Sequence, residues 1–95
     1  MVGEDLTDLE FFRAMVAFFG HRRTFGLIGL CVGWQLAGAR TWHEIEAQEL
    51  GNHATWYRAR VDLRRFRDHL GPLGEFSGDV DSVQRRVAGL TWLAA

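Results

Sequence analysis

The chain reads as an all-α protein, a small five-helix domain, on three observations. One proline stands in 95 residues. Apolar residues recur at three- and four-residue steps rather than alternating, which is the helical period. Thr7 and Thr41 each precede a glutamate by three residues, the spacing of a capping box. Ninety-five residues make one domain with little room for a second, so residues 1–95 are read as a single helical unit. Apolar residues at 47% and charged residues at 24% are ordinary for a globular chain, and four Trp with seven Phe supply large side chains for a core.

Taken in order, the first helix opens at Thr7 and carries Phe11, Met15 and Phe18 beside Phe12 and Phe19. Gly20-His21-Arg22-Arg23 interrupts it. A second helix is predicted from Thr24 to Ala37, ending near Gly38. Gly26, Gly29 and Gly33 lie near one side of it, and each weakens a helix interior by roughly 0.5–1 kcal/mol relative to alanine. Close approach of a neighbouring helix is the expected compensation, with a dimer contact as the alternative. A short third helix starts at Thr41 and ends near Gly51. Asn52 or Thr55 caps the fourth, whose stripe Trp56, Ala59, Leu63, Phe66 and Leu70 runs unbroken until Gly71-Pro72. A glycine-rich loop follows. The fifth helix is expected from about Asp79 to Leu93, with Val80, Val83, Val87 and Leu90 on one face and an apolar end that needs burial.

Charge and residue chemistry narrow the function classes. The net charge is −1, and residues 1–12 hold Glu4, Asp5, Asp8 and Glu10 with no basic residue among them. Five of the eleven basic residues fall in residues 51–70, all of them arginine. Lysine is absent, with one Asn and two Ile, which fits a high-GC genome such as that of an actinobacterium or one of its phages and discounts arginine count as a sign of phosphate binding. Cys31 stands alone in an apolar run and cannot form an internal disulfide. The uncharged run Thr24–Ala39 is shorter than the ~20 residues of a membrane span and contains Gln35, so no membrane partner is expected. The acidic opening lacks a signal-peptide pattern, and a cytoplasmic location is expected. His21, His43, His53 and His69 have no metal-ligand spacing, and no phosphate-cradling glycine loop follows a strand pattern. No cofactor, no metal and no enzymatic activity are expected.

Residues 41–70 carry the most specific signal. A short helix, a tight turn and a longer arginine-bearing helix make the layout of a helix-turn-helix. Trp42, Ile45, Thr55, Tyr57 and Arg58 resemble a pattern shared by helix-turn-helix regulators and the DNA-binding ends of resolvase/invertase recombinases, with Thr55-Trp56-Tyr57-Arg58 its most specific part. The pattern fits in two registers. Aligning Ala47, Leu50 and Gly51 with the turn puts Tyr57 inside; burying Trp56, Ala59 and Leu63 shifts the frame by one residue. The resemblance implies a recognition helix at about 53–69, with Asn52, His53, Thr55, Arg58 and Arg65 contacting double-stranded DNA. It implies a small phage or bacterial transcriptional regulator acting as a homodimer, since one short helix contacts too few bases. A winged form with residues 72–80 as a hairpin is a variant of that reading. Against it, Asp62 stands at pairing distance along the helix from Arg58 and Arg65, and Asp68 from Arg64 and Arg65, so the arginines are equally readable as a solvated face. Tyr57 and Val61 are then candidates for a second buried side. The rival function is a helical module that docks on a host protein, favoured by the acidic N-terminus and near-zero charge.

Overall fold

The computed structural model describes residues 6–48, 52–73 and 78–91. Five helices appear in chain order: α1 Asp8–Phe19, α2 His21–Leu36, α3 Trp42–Ala47, α4 His53–Leu70 and α5 Val80–Ala88, with a single 3₁₀ turn at Gly71–Leu73. No strand occurs among the described residues. Residues 74–77 of the 72–80 segment read as a possible wing, the turn residues 49–51 and the end of the fifth helix beyond 91 lie outside them.

Local chemistry accounts for the helix starts. Thr7 Oγ1 accepts from the Glu10 amide at 3.2 Å and Glu10 Oε1 accepts from the Thr7 amide at 2.9 Å, a complete capping box. At α3 the box is half formed: Thr41 Oγ1 accepts from the Glu44 amide at 3.0 Å, while Glu44 reaches the Arg40 amide at 3.1 Å. Asn52, not Thr55, caps α4, and Asp79 caps α5 through the Ser82 amide at 2.8 Å.

The break before α2 is narrower than the sequence predicted. Gly20 alone separates it from α1, in a left-handed conformation at φ 85° that favours glycine. Its amide donates to Val16 O and its carbonyl accepts from the Thr24 amide, so both helices end on one residue. α2 therefore starts at His21 rather than Thr24, and Thr24 is buried inside it. α3 stops at Ala47 rather than near Gly51. α5 stops at Ala88, where the Gly89 amide closes back on Arg85 and Arg86.

α2 packs against α1 and α5, and α4 packs against α5 and α3. Phe11, Met15, Leu27, Ile28, Cys31, Ile45, Leu63, Phe66, Val83, Val87 and Leu90 are all at most 1% exposed. Phe66 of α4 sits among Phe11, Phe18 and Phe19 of α1, with ring centroids 5.4–5.5 Å apart. Trp42 fixes α3 on α5: its indole donates to Val80 O at 2.9 Å and its amide to Asp81 Oδ1 at 2.8 Å. Arg86 ties α5 to the start of α1 through Asp8, the Leu6 carbonyl and the Phe11 ring face. Burial pushes the Cys31 thiol up to about 12, so it is a protonated packing group at neutral pH.

Two expectations about packing fail. A methyl group built at Gly26, Gly29 or Gly33 would meet nothing within 4 Å among the described residues, so none of the described helices uses the closeness those glycines allow. Tyr57 and Val61 are not a second buried side of α4, being 51% and 36% exposed.

Phe66→Ala removes the ring that joins α1 to α4 and should cost about 3–5 kcal/mol in urea unfolding with the helical spectrum kept at low denaturant. The hydrogen bond donated by the Ser82 amide at the α5 cap holds the Asp79 carboxyl below its usual range. A depressed folded pKa contributes stability that is present above the unfolded carboxylate pKa and lost as pH falls through the folded one. Asp79→Asn keeps a cap acceptor without the charge, so its melting temperature should fall less than that of wild type between pH 5 and 2 (roughly the carboxylate window).

Candidate nucleic-acid interface

The helix α4 has one apolar stripe, and burying it decides which residues face outward. Trp56, Ala59, Leu63, Phe66 and Leu70 are at most 6% exposed. At ~100° per residue the opposite side holds Tyr57 and Val61 at its centre, Arg58 and Arg65 on one flank and Arg64 on the other. All five are exposed. Of the two registers open to the sequence, the one that buries Trp56, Ala59 and Leu63 is the one adopted.

Electrostatics on this face differ from the sequence expectation in one respect that matters. Asp62 does not pair with Arg58 or Arg65. It accepts from Arg23 of α2, with Nε and Nη2 at 2.9 and 2.7 Å from the same Oδ2. Asp68 pairs with the adjacent Arg67 at 2.8 Å instead of Arg64 or Arg65, and Arg67 Nε also donates to Gly78 O at 3.1 Å. Arg58, Arg64 and Arg65 consequently have no hydrogen-bond or ion-pair partner among the described residues. A planar guanidinium with its donors open to solvent suits phosphate oxygens or a guanine edge.

The start of α4 is organised by its cap. Asn52 Oδ1 accepts from the Thr55 amide at 2.9 Å and from the Thr55 hydroxyl at 3.1 Å. The cap uses the Asn52 carbonyl oxygen and the Thr55 proton, leaving the Asn52 amide donors and the Thr55 oxygen for a ligand. His53 stacks on Tyr57 with centroids 5.5 Å apart and planes at 17°, and stands edge-on to Trp56 at 4.9 Å. Asn52, Thr55 and Arg58 line a shallow open hollow with Ala54 and Arg23. The proposed site residues therefore fall into two groups: Asn52, His53, Thr55 and Arg58 at the first turns, and Arg65 two turns further along the same flank as Arg58.

Three residues beyond the sequence-derived set belong to the surface. Arg64 and Tyr57 follow from the periodicity once the register is known. Arg23 comes from α2, 39 residues away from Asp62, and only the packing brings it there. Arg60 lies on the Arg64 flank between two hollows, one shared with Tyr57, Val61 and Arg64 and one of about 210 Å³ lined by Trp42, His43, Glu46, Val80 and Asp81; its Nε is buried without a hydrogen-bond partner among the described residues. No group of three or more His, Cys, Asp or Glu able to hold a metal is present among the described residues, and none of their helices is long and apolar enough to cross a membrane.

Set against known proteins, the chain matches no family model, no curated protein and no solved structure.

Arg23 and Asp62 have side chains 27% and 17% exposed, so their pairing is only partly screened. A double-mutant cycle on Arg23→Ala and Asp62→Ala should give a coupling of roughly 1 kcal/mol, smaller at high salt. A coupling near zero at low ionic strength would mean that Arg23 does not hold Asp62 away from the α4 arginines.

Proposed function

We propose that the chain is a DNA-binding protein in which α3 and α4 form a helix-turn-helix and α4 enters the major groove of double-stranded DNA. The observation that carries the reading is the outward face of α4, where Arg58, Arg64 and Arg65 point to solvent while Asp62 is occupied by Arg23. Five arginines against two aspartates give the residues of α4 a net charge of +3, on a chain whose total is −1. A helix of 18 residues is about 27 Å long and fits a groove about 12 Å wide. Thr55 and Arg58 at its first turns are placed for base edges and phosphates, and Arg64 and Arg65 for phosphates further along.

The buried Trp42 and Ile45 seat α3 in the core against α4, which supports reading α3 as the helix that braces a recognition helix. A homodimer would double the contact set, and a small regulator of phage or bacterial origin is the role this combination suits. The near-neutral total charge favours the rival reading, docking on another protein, and the same titration separates them.

Fluorescence anisotropy on a mixed-sequence duplex decides between these readings. With about three phosphates neutralised per chain, affinity should fall about 40-fold between 50 and 200 mM salt. Arg58→Ala and Arg65→Ala should each weaken binding and reduce the log–log salt slope by about one. No binding at low salt, or an affinity unchanged in both variants, would sink the DNA reading.

A further inference from the structure

The side of α2 that faces away from the core is apolar and bare. Between Thr24 and Ala39 the sequence has no charged residue, although half of the helix surface is in contact with water. Its outward face carries Phe25, Gly26, Gly29, Val32, Gly33 and Leu36. Phe25 is 40% exposed and Leu36 is 84% exposed. Phe12 of α1 packs on Phe25 with centroids 5.6 Å apart, and Leu9, one turn earlier on α1, is 42% exposed. The three glycines weaken the helix and, within the described residues, nothing lies close enough to need their missing side chains.

We propose that this face binds the same face of a second copy of the chain, antiparallel about a two-fold axis near Gly29. Helical geometry makes the face self-complementary in that arrangement. Phe25 and Val32 lie on the flank nearer α1, Gly26 and Gly33 on the other flank, and Gly29 between them. An antiparallel two-fold keeps each flank on its own side. Phe25 then meets Val32 of the second copy, while Gly26 meets Gly33 of the second copy and lets the two backbones close together. Leu36, the most exposed large apolar side chain among the described residues, falls on the aliphatic stem of Arg22 of the second copy. The two Arg22 charges stay at opposite ends of the contact, and the opposed helix dipoles are favourable. Both α1 helices come to the same side, so Leu9 and Phe12 extend the contact.

Size supports the same occupant. The three large exposed side chains, the glycines and their flanks offer on the order of 500 Å² per copy, so a pair removes about 1,000 Å² from water, the size at which a specific contact begins. An isologous patch of this kind closes on itself and does not propagate into fibres. The pairing supplies the two-fold contact that the dimeric DNA-binding reading requires, and rests on that reading only for its use, since it forms without DNA.

The test is the mass of the full chain in light scattering and sedimentation equilibrium without DNA, over about 5–300 μM, the range expected for a contact this small. The mass should rise from 10.8 kDa toward twice that value. Leu36→Glu and Gly29→Leu should each move the midpoint upward at least tenfold with an unchanged helical spectrum, because both positions open to solvent in the single chain. Gly33→Ala gives a readout of opposite sign: the dilute chain should melt a few degrees higher while the dimer weakens. A chain that stays at 10.8 kDa throughout overturns the proposal and leaves the face to another protein or to the chain's own ends. A dimer insensitive to Leu36→Glu and Gly29→Leu overturns it as well. Failure of the DNA reading is separable: Arg58→Ala should leave the mass curve unchanged, and Leu36→Glu should leave low-salt duplex binding by the single chain in place.

Discussion

Burial of a single stripe on α4 is the constraint on which the rest of the molecule depends. Phe66 at its centre is enclosed by three phenylalanine rings of α1, and Leu63 and Leu70 beside it are at most 1% exposed. A helix with one apolar stripe has one rotational position in which that stripe leaves water. Once Phe66 is seated, the directions of Tyr57, Arg58, Arg64 and Arg65 follow without any interaction of their own. The surface offered to a ligand is thus a consequence of core packing. A loosened core would move it.

Charge pairing across elements then sets what that surface can do. On an isolated α4, Asp62 would neutralise an arginine one turn away. In the folded chain Arg23 of α2 supplies two donors to one Asp62 oxygen from a fixed position, and the helical neighbours keep their guanidinium groups. Asp68 is drawn to Arg67, which is also anchored on Gly78 O. Asp62 is thereby drawn to the margin of the face, while Asp68, paired with Arg67, stays exposed near its C-terminal end. The local +3 of α4 is expressed on a protein that is acidic overall.

α2 shows the same division of labour within one helix. Its inner side, with Leu27, Ile28, Cys31 and Trp34, lies against α1 and α5 and is closed to water. Its outer side is uncharged from Phe25 to Leu36 and, among the described residues, largely uncovered. Gln35 and Gln84 join the α2–α5 seam through one hydrogen bond at 2.9 Å, a polar link between two apolar stripes. Past Arg22 the solvent side of this helix carries three glycines and no charge, an unusual surface for a helix facing water.

Local chemistry was legible in the chain itself. Thr7, Thr41 and Asn52 announced three helix starts because capping bonds span only three residues, and the Trp56–Leu70 stripe announced the inward face of α4 because helical period is a property of neighbours in sequence. The apolar face of α5 through Val83 and Val87, continued past its end by Leu90, was visible for the same reason. Other features were not, since they depend on partners far along the chain. The start of α2 moved to His21 because Gly20 could turn the chain alone; the register of the 41–70 unit was decided by which of Trp56 and Tyr57 found a core to enter. Arg23 reached Asp62 only when α2 and α4 came together, 39 residues apart. The amino-acid sequence by itself determined which segments are helices and which side of each avoids water, because those are short-range effects. The tertiary structure decided which arginines remain exposed and unpaired, and which glycines bare, among the described residues, because both depend on what distant parts of the fold bring within bonding distance.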